Sequence, residues 1–192
     1  KDQYDNVAAV TQDTVFTLST TPANTGAFYS DSAATLAITQ ATVLNAASSA
    51  TFYYKHTAAG SINVTVTRLS GQALTTATDS IAVSIVPASV NYFTVTAADM
   101  TALTTGGSRA ITVTAYDVYN NAAANAGTIN VTFSGANSSP GGTAPTCSNA
   151  SLADVAFGSA TSLAFNASGQ ASTTLKVYKA ELVAIKAASG SA

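Results

Sequence analysis

Two short turns in this sequence bring together side-chain oxygens that could hold a metal ion. Calcium takes about six to eight oxygen ligands, usually several of them carboxylates. The second turn has a single acid, so Asx side chains that accept bonds from nearby backbone N–H groups explain the pattern more simply. We expect turn capping and no tightly held metal, and we keep four residues as candidate calcium ligands. These are Asp2, Asp5, Asn6 and Asp117.

Two other side chains have chemistry worth weighing, His56 and Cys147, the only histidine and the only cysteine. A single histidine forms no His cluster for a metal, and no nucleophile motif surrounds it, so we interpret it as a polar residue at the end of a strand. Cys147 lies between Pro145 and Asn149, which predicts an exposed or half-buried loop thiol. A nucleophile or an intermolecular disulfide is the alternative. We predict no catalytic residue and no cofactor.

Five Asn-x-Ser/Thr sequences are potential glycosylation sites. Those at Asn63 and Asn130 fall in Thr-rich strand sequence, where such triplets arise by chance. The better candidate acceptors lie in loop-like sequence: Asn137, Asn149 and Asn166.

The composition excludes several classes of function. Charged residues make up only 8% of the chain and the formal net charge is −2, so there is no basic field that would attract nucleic acid. No apolar run is long enough to cross a bilayer as a helix. With one cysteine, no disulfide can form within the chain. Hydrophobic residues make up 47%, enough for a substantial buried core.

The hydrophobic pattern is that of β-strands. Val, Ile and Leu alternate with Thr and Ser, which is typical of half-buried antiparallel strands. Short strands of this kind, separated by Gly, Asn, Asp and Ser, predict an all-β protein made of two tandem immunoglobulin-like sandwiches. The strongest segments are residues 14–20, 62–67, 80–86, 92–96, 111–115, 129–134 and 182–186.

An internal repeat relates the two halves of the chain. The Asp2 turn matches the Asp117 turn at a distance of 115 residues, and a strand follows each of them. Tyr54 and Tyr178 then mark aromatic strands 124 residues apart, so the second copy carries an insertion, which we place in residues 134–149. Residues 62–67 of the first copy correspond to residues 182–186 of the second.

The repeat also predicts domain boundaries. Pro87 cannot donate to a strand ladder, so the sequence predicts one domain over residues 1–86 and another over residues 87–192. The first copy has no match for the strands at residues 91–97 and 109–115, and the second has none for residues 80–86. We therefore expect a first domain without its early strands and a second without its last. The missing strands would come from other parts of a longer chain or from another subunit, beside residues 14–20 or 80–86.

A family resemblance follows from the order of these motifs. The strand Ile111-Thr-Val-Thr-Ala115, the turn from Asp117 to Asn121 and the strand from Ile129 resemble the bacterial Ig-like repeats of invasin- and intimin-type adhesins. The resemblance implies an extracellular, cell-surface setting and neighbouring Ig-like repeats or identical subunits as partners. Such repeats commonly have glycine where this chain has Asp5 and Asn120, two residue types that also tolerate left-handed backbone.

These observations favour a structural or spacer repeat of a surface adhesin, sheath or filament, and not an enzyme. The alternative is a carbohydrate- or protein-binding accessory module of a secreted multidomain protein. That alternative calls for an exposed aromatic platform, and the chain has no tryptophan. A hydrolase would need paired carboxylates in a cleft, and no such pair stands out among the nine acidic residues.

Overall fold

The computed structural model describes residues 1, 4, 6–23, 26–99, 101–124 and 127–189. Every regular element in that part of the chain is a β-strand, and every pairing between strands is antiparallel. The all-β prediction is confirmed. The chain divides into two compact units, Lys1–Val86 (the first unit) and Pro87–Ala192 (the second unit).

The first unit contains two sheets. One has the order β4-β1-β6-β7 and the other the order β3-β2-β5. The strands are β1 (Thr14–Thr21), β2 (Gly26–Tyr29), β3 (Ala37–Ile38), β4 (Gln40–Val43), β5 (Tyr53–His56), β6 (Gly60–Ser70) and β7 (Thr78–Ile85).

The second unit also contains two sheets, with the orders β13-β10-β15 and β12-β11-β14-β9-β8. The strands are β8 (Tyr92–Ala97), β9 (Ser108–Tyr116), β10 (Gly127–Ser134), β11 (Thr146–Ser148), β12 (Asp154–Ala156), β13 (Ala160–Phe165), β14 (Gln170–Lys176) and β15 (Lys186–Ser189).

In each unit, both sheets contribute side chains to one apolar core, because alternate side chains of a strand point to the same face. In the second unit, Val131 and Phe133 of β10 belong to the same buried cluster as Val113 of β9, and all three are at most 1% exposed. The first core is smaller. Its buried hydrophobic residues are Leu18, Phe28, Ile62 and Val64.

The repeat is clearer in the strand ladders than in the sequence. The order β4-β1-β6 recurs as β13-β10-β15, and β3-β2-β5 recurs as β12-β11-β14. The ladders, together with the burial of Phe28 and Cys147, align Cys147 with Phe28 and Leu175 with Tyr54. Tyr54 therefore corresponds to Leu175 and not to Tyr178. The extra residues of the second copy lie between β10 and β11, within the predicted stretch 134–149.

Two sequence-based expectations are wrong. Residues 181–185 form no strand, and β15 begins only at Lys186. The corresponding segment of the first unit is the start of β6, where Gly60 to Ile62 pair with β7 alone. The described part of the second unit has no strand equivalent to β7. An isolated strand without a partner is unstable. The expected addition beside residues 14–20 is also excluded, because β1 already lies between β4 and β6.

Candidate functional site

The turn after β9 is built around a buried carboxylate. Asp117 is 0% exposed. Its Oδ1 accepts bonds from the backbone N–H groups of Tyr119 (2.8 Å) and Asn121 (2.9 Å). Its Oδ2 accepts from Asn121 Nδ2 (2.8 Å) and from the backbone N–H of Ala88 (3.0 Å). Asn120 has a φ of 66° and supplies the left-handed residue expected at this position.

These bonds decide the electrostatics of the turn. Burial opposes ionisation of Asp117, but the bonds donated by Asn121, Ala88 and Tyr119 outweigh it and hold the pKa of the carboxyl at about 2. Both carboxylate oxygens are engaged by N–H donors, so the ionised side chain acts as the cap of its own turn. The residues that the structure describes contain no group of three or more His, Cys, Asp or Glu side chains that could hold a metal.

The other calcium candidates belong to the first turn. Asp2 and Asp5 lie outside the described residues, whereas Asn6 is exposed and belongs to no strand. The expectation that the first turn holds no metal tightly therefore stays a prediction.

The pH dependence of stability follows from the Asp117 turn. The folded-state pKa of about 2 is below the ordinary value of 3.8, so the ionised carboxylate stabilises the fold above about pH 4, and this contribution is lost as the pH falls toward 2. We expect Asp117→Asn to lower the urea midpoint of the second unit at pH 6, with the difference from wild type shrinking between about pH 4 and 2. A difference that is the same at every pH would contradict this account.

Glu181 provides the matched control for that experiment. Its carboxylate accepts bonds from Asn137 and pairs with Lys179 at 3.0 Å, and these contacts lower its pKa to about 2 as well. Glu181→Gln removes the same charge from a half-buried contact between loop residues. Comparing the two variants separates the buried turn from the general loss of a carboxylate.

Two further Asx-capped turns, one after β2 and one after β11, were missed by the sequence analysis. Asp31 follows β2 and accepts bonds from the backbone N–H groups of Thr35 and Leu36. Asn149 follows β11 and accepts from those of Ser151 and Ala153. Each turn also has a left-handed residue three positions after its Asx residue, Ala34 (φ 56°) in the first and Leu152 (φ 65°) in the second. A signal was present in the shared Ser-Asx dipeptides, Ser30-Asp31 and Ser148-Asn149.

The three candidate glycosylation acceptors lie in loops, and each uses its side chain locally. Asn137 Nδ2 donates to Glu181 (2.9 Å). Asn149 caps the turn after β11, and Asn166 accepts from the N–H groups of Ser168 and Gln170. Asn137 and Asn166 are exposed, and Asn149 is half-buried. Their modification stays a prediction.

The position predicted from the sequence is wrong for Cys147 and correct for His56. Cys147 is not a loop thiol: it lies in β11, is 0% exposed and belongs to the core. Burial raises the pKa of its thiol to about 12, so the reactive thiolate is suppressed at neutral pH. The local sequence missed this because burial depends on β11 pairing with β12 and β14. His56 is the last residue of β5, as expected, and its ring stacks on Tyr54 at 6.0 Å.

The first unit also has an open apolar groove of about 730 Å³ between its sheets. Its apolar lining includes Leu18, Phe28 and Ile38. In the second unit, Phe157 follows β12 and stacks on Phe133 with ring centroids 5.8 Å apart, so an aromatic pair occupies this corner of the core. No charged side chain lines the groove among the described residues, and its polar side chains are those of Ser19, Thr20, Thr39 and Gln40.

Comparison with known proteins leaves the family open. No protein-family model matches the sequence, and no curated protein matches it. Among solved structures, the chain is similar to the surface layer protein SbsC, domains 1–6, with 16% sequence identity and a TM-score of 0.32. The similarity covers 100% of this chain and 21% of that chain, so this chain spans about a fifth of its length. So distant a likeness decides neither fold nor function.

The described residues contain no helix long and apolar enough to cross a membrane.

Proposed function

We propose that this chain is a pair of immunoglobulin-like repeats with a structural role in an extracellular surface assembly, such as an adhesin, sheath or filament. The observation that carries the proposal is the recurrence of six strands, β1 to β6, as β10 to β15 with the same neighbours. Repeated modules of one fold are the way in which long extended proteins are built. The proposal assigns no catalytic, metal or cofactor role to any residue.

The strand order supports the immunoglobulin-like part of the proposal. In that fold one sheet has the order A-B-E-D and the other the order C-F-G. In the second unit, β8-β9-β14-β11 follow the first order and β10-β15 follow the start of the second. In the first unit, β1-β6-β7 follow C-F-G, and β5-β2 follow E-D. Strands β4 and β13 are additions beside the C position.

The low surface charge supports a module that assembles with other repeats more than one that attracts a charged ligand. Charged residues are only 8% of the chain, so neighbouring copies would not repel each other strongly. Strand edges remain available in the described residues, among them the outer side of β7. Unpaired edges are templates for further strands, which fits assembly through β-strand contacts with neighbouring repeats or identical subunits.

The proposal is tested by the location of the protein on its native cells. We expect antibodies raised against residues 1–192 to label the outer surface of intact cells in immunogold microscopy, and brief protease treatment of those cells to remove the label. Preabsorbing the antibody with the purified chain controls for specificity. Label confined to the cytoplasm would overturn the proposal. Binding of the purified chain to a glycan array, without surface label, would favour the carbohydrate-binding alternative.

A further inference from the structure

Two tyrosines stack on the outer face of a sheet in the second unit. Tyr92 of β8 lies directly opposite Tyr116 of β9, and their rings stack with centroids 5.3 Å apart and planes 15° apart. The residues next to them, Phe93 and Ala115, belong to the core, so both tyrosines point away from it. Tyr92 is 37% exposed and Tyr116 is half-buried. The pair therefore presents aromatic surface to solvent.

Hydrogen bonds hold this pair in place. The Tyr92 hydroxyl donates to Asn120 Oδ1 (2.9 Å), and Asn120 lies in the turn that the Asp117 carboxylate caps. The backbone N–H of Asn91 donates to the carbonyl oxygen of Tyr116 (2.7 Å). Side chains that are fixed before a ligand arrives lose little conformational entropy on binding. The two rings and the Asn120 amide are thus preorganised.

The same face continues as neutral hydroxyl groups. The outward residues next in line on the two strands are all threonines: Thr94 and Thr96 on β8, Thr114 and Thr112 on β9. The ladder places them opposite each other in two pairs. Thr114 is buried, and the other three reach the surface. From position 92 to position 96 this face is about 13 Å long, and none of its outward side chains is charged.

This combination of groups matches the chemistry of a neutral sugar chain. A pyranose ring with equatorial substituents has apolar C–H groups on its faces and hydroxyl groups around its rim. The apolar face can pack on an aromatic ring. The rim can accept bonds from Asn120 Nδ2, which has two N–H donors, and donate to the Tyr92 hydroxyl oxygen. A charged ligand would find no opposite charge at these positions.

We propose that Tyr92, Tyr116 and Asn120 form a binding site for a neutral polysaccharide built of equatorially substituted pyranose units. One sugar ring packs against Tyr92 and bonds to Asn120, and the sugar chain continues along the threonines. The pairing of β8 with β9 supplies an aromatic platform in a chain that has no tryptophan. This site goes beyond the proposed structural role, and its test does not depend on that role.

Two soluble saccharides serve as probes, cellohexaose and chitohexaose. Each is titrated into the chain of residues 1–192 while ring and backbone amide signals are followed by NMR. We expect at least one of them to cause saturable shifts in the ring signals of Tyr92 and Tyr116 and in the amides of residues 92–96. The corresponding monosaccharides should bind more weakly, because they cannot reach the threonines. No saturable shift with either hexasaccharide, or shifts centred on other residues, would overturn the proposal.

Variants test the named groups one at a time. Tyr92→Ala should weaken binding roughly tenfold or more, whereas Tyr92→Phe keeps the ring and should retain most of the affinity. Asn120→Gly removes the amide but keeps the turn, because glycine adopts a φ of 66° without strain, and should weaken binding roughly two- to tenfold. Tyr53→Ala is the matched control, since Tyr53 is 41% exposed and lies on β5, outside the site.

Urea midpoints show whether each variant is folded. If Tyr92→Ala destabilises the second unit, the wild-type shifts and Asn120→Gly still decide the question. Equal affinity of wild type, Tyr92→Ala and Asn120→Gly would overturn the site. So would equal losses in Tyr92→Ala and Tyr53→Ala, because the loss would then not be specific to this face.

The outcomes separate this site from the proposed function. Surface label on cells without saccharide binding would remove the site and leave the structural role standing. Saccharide binding with cytoplasmic label would do the reverse. Shifts of the Tyr92 and Tyr116 signals that grow with chain concentration in the absence of saccharide, and that saccharide does not reverse, would show that a second copy occupies this face and would overturn the proposed ligand.

Discussion

Replacing Phe133 by alanine is expected to lower the unfolding free energy of the second unit by about 3–5 kcal/mol. Phe133 is 1% exposed and lies on β10, between β13 and β15. Its ring stacks on Phe157 and packs in the common core of both sheets. The substitution removes apolar contacts and leaves a cavity that the surrounding strands fill only in part.

Urea unfolding followed by circular dichroism measures this loss, with the second unit's transition assigned by amide exchange. Leu182→Ala is the control, because Leu182 is fully exposed and lies in the stretch that forms no strand. A change at such a site should stay within about 0.5 kcal/mol. Equal effects of the two substitutions would mean that Phe133 does not occupy the core.

Replacing Gly135 by alanine is expected to cost about 2–5 kcal/mol, from two causes that add. Gly135 follows β10 with a φ of 112°, where a side chain is strained by about 1–2 kcal/mol. An added Cβ would also collide with the backbone carbonyl oxygen of Ala184. Because the obstacle is backbone and not a flexible side chain, relief requires moving the segment that leads into β15, at a cost of about 1–3 kcal/mol.

Gly142→Ala separates the two causes. Gly142 has a φ of 85°, and a Cβ there would meet no atom of the described residues within 4 Å, so this variant carries the strain without the collision. Both substitutions restrict the unfolded chain equally. Thermal unfolding should therefore show a clearly larger fall in Tm for Gly135→Ala. Similar falls would show that the approach of Ala184 to Gly135 is not a constraint on the fold.

The sequence by itself determined where most of the larger strands lie. The alternation in residues 14–20, 92–96 and 111–115 predicted β1, β8 and β9, with ends that agree within a few residues. This works because a strand with one buried face needs an apolar side chain at every second position, which is a local requirement. The Asx-rich turn was likewise visible, since capping uses neighbouring backbone groups. The left-handed Asn120 was part of the same local pattern.

Only the tertiary structure decided which of these segments have partners. Residues 182–186 have the right alternation, yet most of them form no strand because no neighbouring strand pairs with them in the described residues. Cys147 appeared to be in a loop, but β11 carries it into the core. The bonds that stabilise the Asp117 carboxylate include one from the backbone N–H of Ala88, 29 residues away in sequence. Pairing and burial join residues distant in sequence, so no local pattern contains them.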